Sequence, residues 1–292
     1  MKVYPKVIGP TMADTTPVDL PGLHNVVAYH EHYWSGSVPE GDAGFDTLAG
    51  MGVKTIISVD GGAPDVESAK ARGIRYIHLP IGYNGFDEQR KLELTRATRD
   101  ALALGPVYVH CHHGKHRSAG AAGTAIASLG WASPEAMVAR MKVSGTAAGY
   151  KGLFACVTNA GVLSSAEIDA VSPMFPERAR PTGFLKAMVE IDEAHEHLKE
   201  IERAGWTVPK DHPDLVPAAV AGNLANLLKF SAETAKAKSK PAQFAELLRR
   251  NSAEAEMLEH MLAAGENDSK KLSAQFKLIA ATCKDCHGTF RD

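Results

Sequence analysis

Residues 107–120 read VYVHCHHGKHRSAG: an apolar run that stops at a cysteine, a short loop, and then small residues that continue as AGAAGTAIASLG. Four histidines and Cys111 fall between His110 and His116. Two chemistries compete for this loop. As a metal site it is poorly spaced, because His112 and His113 are adjacent, their side chains are expected to diverge, and one local cluster does not close around an ion. Histidines in a glycine-containing loop are also commonly plain surface residues. As a nucleophile site it accounts for more of the letters. A strand delivers Cys111, Arg117 follows six residues on, and a helix starts beside it. The loop amides and the helix N-terminus form a concave nest for a phosphate dianion, and a guanidinium grips two of its oxygens. The same field favours a thiolate able to attack phosphorus. Gly114 lets the backbone approach closely or take a positive φ. Ser118 is placed to hydrogen-bond the sulfur, and the histidines line the cradle as cations or donors.

Outward from the loop, short β-branched runs alternate with helical stretches. VKTIISV (53–59), IRYIHLP (74–80) and PVYVHC (106–111) are candidate strands, separated by DVESAKARG and DEQRKLELTRATRDALAL. This alternation predicts an α/β domain with a mostly parallel central sheet flanked by helices. NVVAYHEHYWSGSVPEG is expected to add an edge strand and a turn. Its His30-Glu31-His32 triplet either ligates a metal or, as an edge strand more often does, points alternately in and out. Cys156 is either a resolving partner for Cys111 or a small buried hydrophobe.

The loop HCHHGKHRS resembles the His-Cys-(five residues)-Arg-Ser/Thr signature of the protein tyrosine phosphatase superfamily, in its dual-specificity branch. GKHRS is most similar to plant and fungal atypical members, some of which act on inositol pyrophosphates. The resemblance extends over about residues 20–160 through YWSGSVPEGDAGFDTLAGMGVKTIISVDG. It implies a cysteine-dependent phosphatase in which Cys111 is the nucleophile, Arg117 binds phosphate, His110 supports the loop and Ser118 assists hydrolysis. His112, His113, Gly114, Lys115 and His116 would complete the phosphate cradle, and the chemistry needs no cofactor. Lys115 favours highly phosphorylated or acidic substrates, a phosphoprotein or an inositol phosphate among them. LPIGYNGFDEQ occupies the place of the family's general-acid loop, with Asp87 as the candidate. Asp87 is equally read as the N-cap of the next helix; Glu88 and Asp60 are weaker alternatives.

From about residue 181 strand signals vanish. Helical segments run over 182–203, 214–236, 241–263 and 268–289, separated by AGWTVPKDHP, KSKP and AGEND. Leu185, Met188, Ile191, His195 and Leu198 share one face of the first. Leu272, Phe276, Ile279, Cys283, Cys286 and Phe290 share one face of the last. Four amphipathic helices with short loops predict an all-α antiparallel four-helix bundle. The domains are therefore expected at 1–172 and 182–292, with the proline-rich 173–181 as linker.

Two of the four cysteines lie in CKDCH, a spacing that reads as covalent c-type haem attachment. Cys283, Cys286 and His287 stand at i, i+3 and i+4, as two thioether bonds and one axial imidazole require, whereas a zinc site needs more ligands. FKLIAATCKDCHGTFRD resembles the last helix of cytochrome c′, in which Cys-x-x-Cys-His is followed by Phe-Arg. That resemblance implies one covalent haem c per chain with His287 as the proximal iron ligand. The distal position would come from the first helix, where Met188 is the candidate metal ligand, His195 also faces inward, and core packing is the plainer role for both.

A net charge of −2 gives no reason to expect nucleic acid as partner, and no apolar run reaches the ~20 residues of a membrane span. The haem motif implies a periplasmic or exported protein, yet MKVYPKVIGPTMADTTP has no apolar signal core. The expectation is export with the signal segment lying outside this sequence. Two functions follow: a phosphatase whose haem domain senses redox state or a diatomic gas, or an electron-transfer or gas-binding cytochrome whose first domain only binds phosphorylated ligands. The bundle also offers a surface for a homodimer.

Overall fold

The computed structural model describes residues 4–61, 64–83, 85–179, 183–210, 212 and 215–290, and of Leu185 and Val189 the backbone alone. The chain forms two compact units, Met1–Ala179 and Arg180–Asp292.

The first unit begins with β1 (Val18–Leu20), β2 (Leu23–His30) and β3 (Tyr33–Gly36), followed by α1 (Gly41–Gly50), β4 (Thr55–Ser58), α2 (Val66–Lys70) and β5 (Arg75–His78). It continues with α3 (Glu88–Leu102), β6 (Val107–His110), α4 (Arg117–Ser128), α5 (Pro134–Val143), α6 (Lys151–Thr158) and α7 (Ser165–Asp169). The strands form one sheet in the order β1-β2-β3-β6-β4-β5. β6 is parallel to both β3 and β4, and β4 is parallel to β5, while β1-β2-β3 is an antiparallel meander. The expected mostly parallel core is thus present, with antiparallel strands added at one side. NVVAYHEHYWSGSVPEG does not make an edge strand. It makes the β2–β3 hairpin, with β3 inside the sheet against β6. Glu31 and His32 form its two-residue connection, with His32 at φ 59°, and His30 packs on Trp131 with ring centroids 5.0 Å apart.

Why β6 is central follows from its letters: Val107, Tyr108, Val109 and His110 are all buried, as a strand covered on both faces requires. α3 starts at Asp87, whose carboxylate accepts the Arg90 N–H at 2.8 Å. α4 is buried along its whole length. Its small residues let α6 approach closely, since a Cβ at Gly123 would stand 3.1 Å from Val157 Cγ2. Residues 173–179 of the expected linker are fastened to this unit. Lys70 pairs with Glu177 at 2.7 Å, and the His78 amide donates to the Pro176 carbonyl at 2.8 Å. Residues 180–182 lie outside the described set.

The second unit holds α8 (Phe184–Arg203), α9 (Pro217–Ala232), α10 (Ala235–Lys238), α11 (Ala242–Ala263) and α12 (Ser269–Phe290). Four long helices appear where the periodicity placed them. The expected second helix stops at Ala232, and Thr234 caps a separate turn by accepting the Ala237 N–H at 3.1 Å. Close backbone packing joins α8 to α9, α9 to α11 and α11 to α12. Side chains link α8 to α12: His195 packs on Phe276 with ring centroids 5.1 Å apart. Between Leu198 and Leu272, Ile201 and Ile279, the core is continuous.

Candidate functional site

Strand β6 ends at His110, so Cys111 opens the loop at the C-terminal edge of a parallel sheet, where open α/β sheets form their ligand crevices. The loop is built from outside. Gly114 sits at φ 73°, and a Cβ there would lie 2.3 Å from Gly36 C and 2.4 Å from Ser37 N. No other residue fits against β3. Four carbonyls of the loop are taken by the scaffold. Those of His112 and Gly114 accept from the Val38 N–H at 3.1 Å and from Asn25 Nδ2 at 3.1 Å. Those of Lys115 and Cys111 accept from Thr146 Oγ1 at 2.5 Å and, at the long distance of 3.3 Å, from His110 Nδ1.

His110 is fully buried, and its Nε2 faces the Tyr76 hydroxyl at 2.7 Å. That network is satisfied by a neutral ring with its proton on Nδ1, and burial pushes its pKa down to about 4. Cys111 is 3 % exposed, with Sγ 3.3 Å from Ser118 Oγ. Arg117, the first residue of α4, is 1 % exposed. Its Nη2 donates to the Tyr83 hydroxyl at 3.1 Å and lies 3.5 Å from Asp60 Oδ1. The guanidinium also stacks over the Tyr83 ring, 4.3 Å from its centroid. A carboxylate and an aromatic face thus flank the buried guanidinium, as a buried cation requires.

The other histidines line the loop differently from the expectation. His112 and His113 do not diverge; their rings meet edge to face with centroids 4.5 Å apart. His116 stacks on Tyr150 at 4.0 Å, and burial lowers its pKa to about 3. It is a neutral wall of the loop, not a cation. Lys115 is exposed. Asp87, as noted, caps α3. Cys156 is half-buried on α6 and accepts the Phe86 N–H at 3.4 Å, so it fastens the loop that carries Tyr83. Burial raises its thiol pKa.

Sequence reading missed Tyr83, Tyr76, Asn25 and Thr146. Only Tyr83 carried a signal, as an aromatic residue in the loop already singled out for an acid.

In the second unit Cys283 and Cys286 lie half-buried on α12 with free thiols, and burial raises the pKa of both. His287 is exposed one residue on. Phe184, Met188, Phe290 and the two cysteines are partly buried against the bundle core, and Phe184 and Phe290 both pack on the Phe244 ring. Asn251 Nδ2 donates to Cys283 Sγ at 2.9 Å, and its Oδ1 is buried with no hydrogen-bond partner among the described residues. Two reduced cysteines and an accessible imidazole on one helix, beside an apolar and aromatic wall, are a donor set that fits haem c. His195 lies opposite Phe276, seven residues before Cys283 and so about 10 Å along the helix from it. Met188, on α8, is partly buried against the same core.

Residues 229–291 match the family model described as cytochrome C′. Among solved structures, the chain is similar to TpbA of P. aeruginosa, at 21% identity over 55% of this chain and 96% of that one, with a TM-score of 0.44. Human DUSP28 gives 22% identity over 50% and 97%, with a TM-score of 0.38. The core catalytic domain of the PP-IP phosphatase SIW14 from S. cerevisiae, solved with citrate, gives 18% over 53% and 85%, with a TM-score of 0.33. None of the curated proteins matches the chain. No described helix is long and apolar enough to cross a membrane.

Proposed function

We propose that the first unit is a cysteine-dependent phosphatase of the dual-specificity type and that the second binds one haem c. The observation that carries the first reading is Cys111 Sγ standing 3.3 Å from Ser118 Oγ at the end of β6, on the strand-to-helix loop that also delivers the buried Arg117. With the loop carbonyls turned into the scaffold, the amide side of the loop is the side that suits an anion. Arg117 holds two phosphate oxygens, and the Cys111 thiolate attacks phosphorus. An S–P bond forms as the bond to the leaving oxygen breaks. Water then attacks the cysteinyl phosphate, the S–P bond breaks, and the returning thiolate takes the Ser118 hydroxyl as donor. His110, held by Tyr76, keeps Cys111 at the end of β6.

The leaving oxygen needs a proton when it is basic. Asp87 is the candidate donor, but its carboxylate is engaged in capping α3 by accepting the Arg90 N–H, so substrates whose leaving group departs unprotonated suit this site best. Phosphoanhydrides and aryl phosphates are of that kind. Exposed Lys115 favours multiply charged substrates, inositol phosphates or acidic phosphoproteins.

In the second unit Cys283 and Cys286 would hold haem covalently and His287 would bind its iron, with Met188 of α8 a further candidate iron ligand. The group supplies electron transfer or the binding of a diatomic gas. Covalent haem attachment would put the protein in the periplasm or outside the cell, and haem state is proposed to regulate the phosphatase. Hydrolysis of an aryl phosphate by the wild type, abolished in Cys111→Ser, tests the first reading. A wild type inert across a broad pH range would leave a haem protein whose first domain only binds phosphorylated ligands.

A further inference from the structure

A cavity of about 200 Å³ opens at edge strand β5, between the start of α3 and the strap formed by residues 171–179. The strap is pinned at both ends. Arg96 Nη1 donates to the carbonyls of Asp169, at 2.7 Å, and Val171. Arg178 pairs with Glu67, and the Ala179 amide donates to His78 Nδ1 at 3.0 Å. Leu79, Val171, Met174 and Phe175 give the cavity an apolar lining. Arg90 gives it a cation. The guanidinium Nε pairs with Glu93 at 3.0 Å, and Nη1 is buried with no hydrogen-bond partner among the described residues. A buried donor left unpaired is destabilising, so an acceptor that satisfied it would be favoured.

One lining residue reaches the candidate active site. His78 uses both ring nitrogens: Nδ1 accepts from the strap at Ala179, and Nε2 donates to the Asp60 carbonyl at 2.8 Å. That pattern fixes a neutral ring, and burial lowers its pKa. The Asp60 carboxylate in turn faces Arg117. Strap, His78, Asp60 and Arg117 therefore form one bonded series from the cavity to the phosphate-gripping guanidinium.

We propose that this cavity binds a small amphipathic carboxylate, aromatic or short-chain, and that His78 and Asp60 report its presence to Arg117. The carboxylate pairs with the Arg90 guanidinium at the cavity wall, and the apolar body lies among the strap side chains. The size suits it: an apolar cavity of about 150 Å³ is enough for benzene. Glu93 beside Arg90 disfavours a phosphate dianion there, so the site is chemically distinct from the loop at Cys111. The binding claim stands by itself; the reporting claim rests on the phosphatase reading.

The test is a titration of the full-length chain with benzoate, benzyl alcohol and inorganic phosphate, followed by backbone and arginine side-chain NMR. Benzoate is expected to give saturable shifts at residues 171–179 and Arg90, and further shifts at Asp60 and Arg117. Benzyl alcohol should bind about tenfold more weakly, and Arg90→Gln should weaken benzoate by about the same factor, the loss of one charge-assisted hydrogen bond. Met174 is 84% exposed, so Met174→Glu keeps the fold and should weaken benzoate by like charge. No saturable binding, or benzoate displaced by phosphate and indifferent to Arg90→Gln, would overturn the site. Shifts confined to the cavity, with an unchanged aryl phosphate KM at saturating benzoate, would overturn the reporting. A chain that hydrolyses no phosphate ester still yields the binding result, so failure of the enzyme reading stays separable.

Discussion

Replacing Gly114 with alanine should damage the loop by an amount the structure allows to be worked out. At φ 73° the residue is left-handed, which costs a non-glycine residue about 1–2 kcal/mol. The new Cβ would also stand 2.3 Å from Gly36 C and 2.4 Å from Ser37 N. Both obstacles are backbone at the end of β3, a strand held inside the sheet, so the loop must yield. Its movement breaks the bonds from Val38 N–H to His112 O and from Asn25 Nδ2 to Gly114 O, at about 0.5–1.5 kcal/mol each. The sum is about 2–5 kcal/mol. At about 2–4 °C per kcal/mol for a unit of this size, the first unit should melt roughly 4–20 °C lower. Displacement of the proposed phosphate cradle by about 1 Å should cost about a hundredfold in aryl phosphate turnover. Gly73→Ala is the matched control, with φ 69° and nothing within 4 Å of the added Cβ. It should pay the left-handed cost of about 1–2 kcal/mol alone and keep its rate. Thermal unfolding followed by circular dichroism, with turnover of the same samples, reads both. Equal losses in the two variants would refute the claim that Gly114 is required by close approach to β3.

Arg117→Lys should lower kcat/KM about 10–100-fold, because a point charge does not reproduce the two-oxygen grip; steady-state kinetics on an aryl phosphate reads it. Ser118→Ala should slow hydrolysis of the cysteinyl phosphate more than its formation, appearing as a larger burst of released phenol ahead of a slower steady state. His110 titrates near 4 when folded against 6.5 when unfolded. Protons therefore bind the unfolded chain preferentially between these values, and stability present above pH 6.5 is lost as pH falls towards 4. Denaturant midpoints across that range should show a slope that flattens in His110→Gln. Denatured wild type should keep haem absorbance on the polypeptide, while Cys283→Ala with Cys286→Ala should release it; release from wild type would contradict covalent attachment.

Much of the framework is legible because it is local. Thr55–Ser58, Arg75–His78 and Val107–His110 are β-branched or apolar runs between turn signals, and the letters of the loop place Cys111 at a strand end and Arg117 at a helix start. The bundle is legible through its 3.6-residue period. What was misread depends on pairing between distant segments. NVVAYHEHYWSG carries no mark that its second half lies inside the sheet against β6. The contacts that set the site are equally remote in sequence: Asn25 on Gly114 at a separation of 89, Tyr83 on Arg117 at 34. Histidines looked like charge on paper, yet burial keeps His110 and His116 neutral. The break before α10 could have been read from Thr234, a residue suited to capping.

The most direct test of the catalytic proposal is acid-quenched mass spectrometry of the protein during aryl phosphate turnover. The peptide spanning the 107–120 loop should carry one phosphoryl group on Cys111, absent in Cys111→Ser. Steady turnover with no phosphoryl adduct on that peptide, and activity retained in Cys111→Ser, would contradict the account.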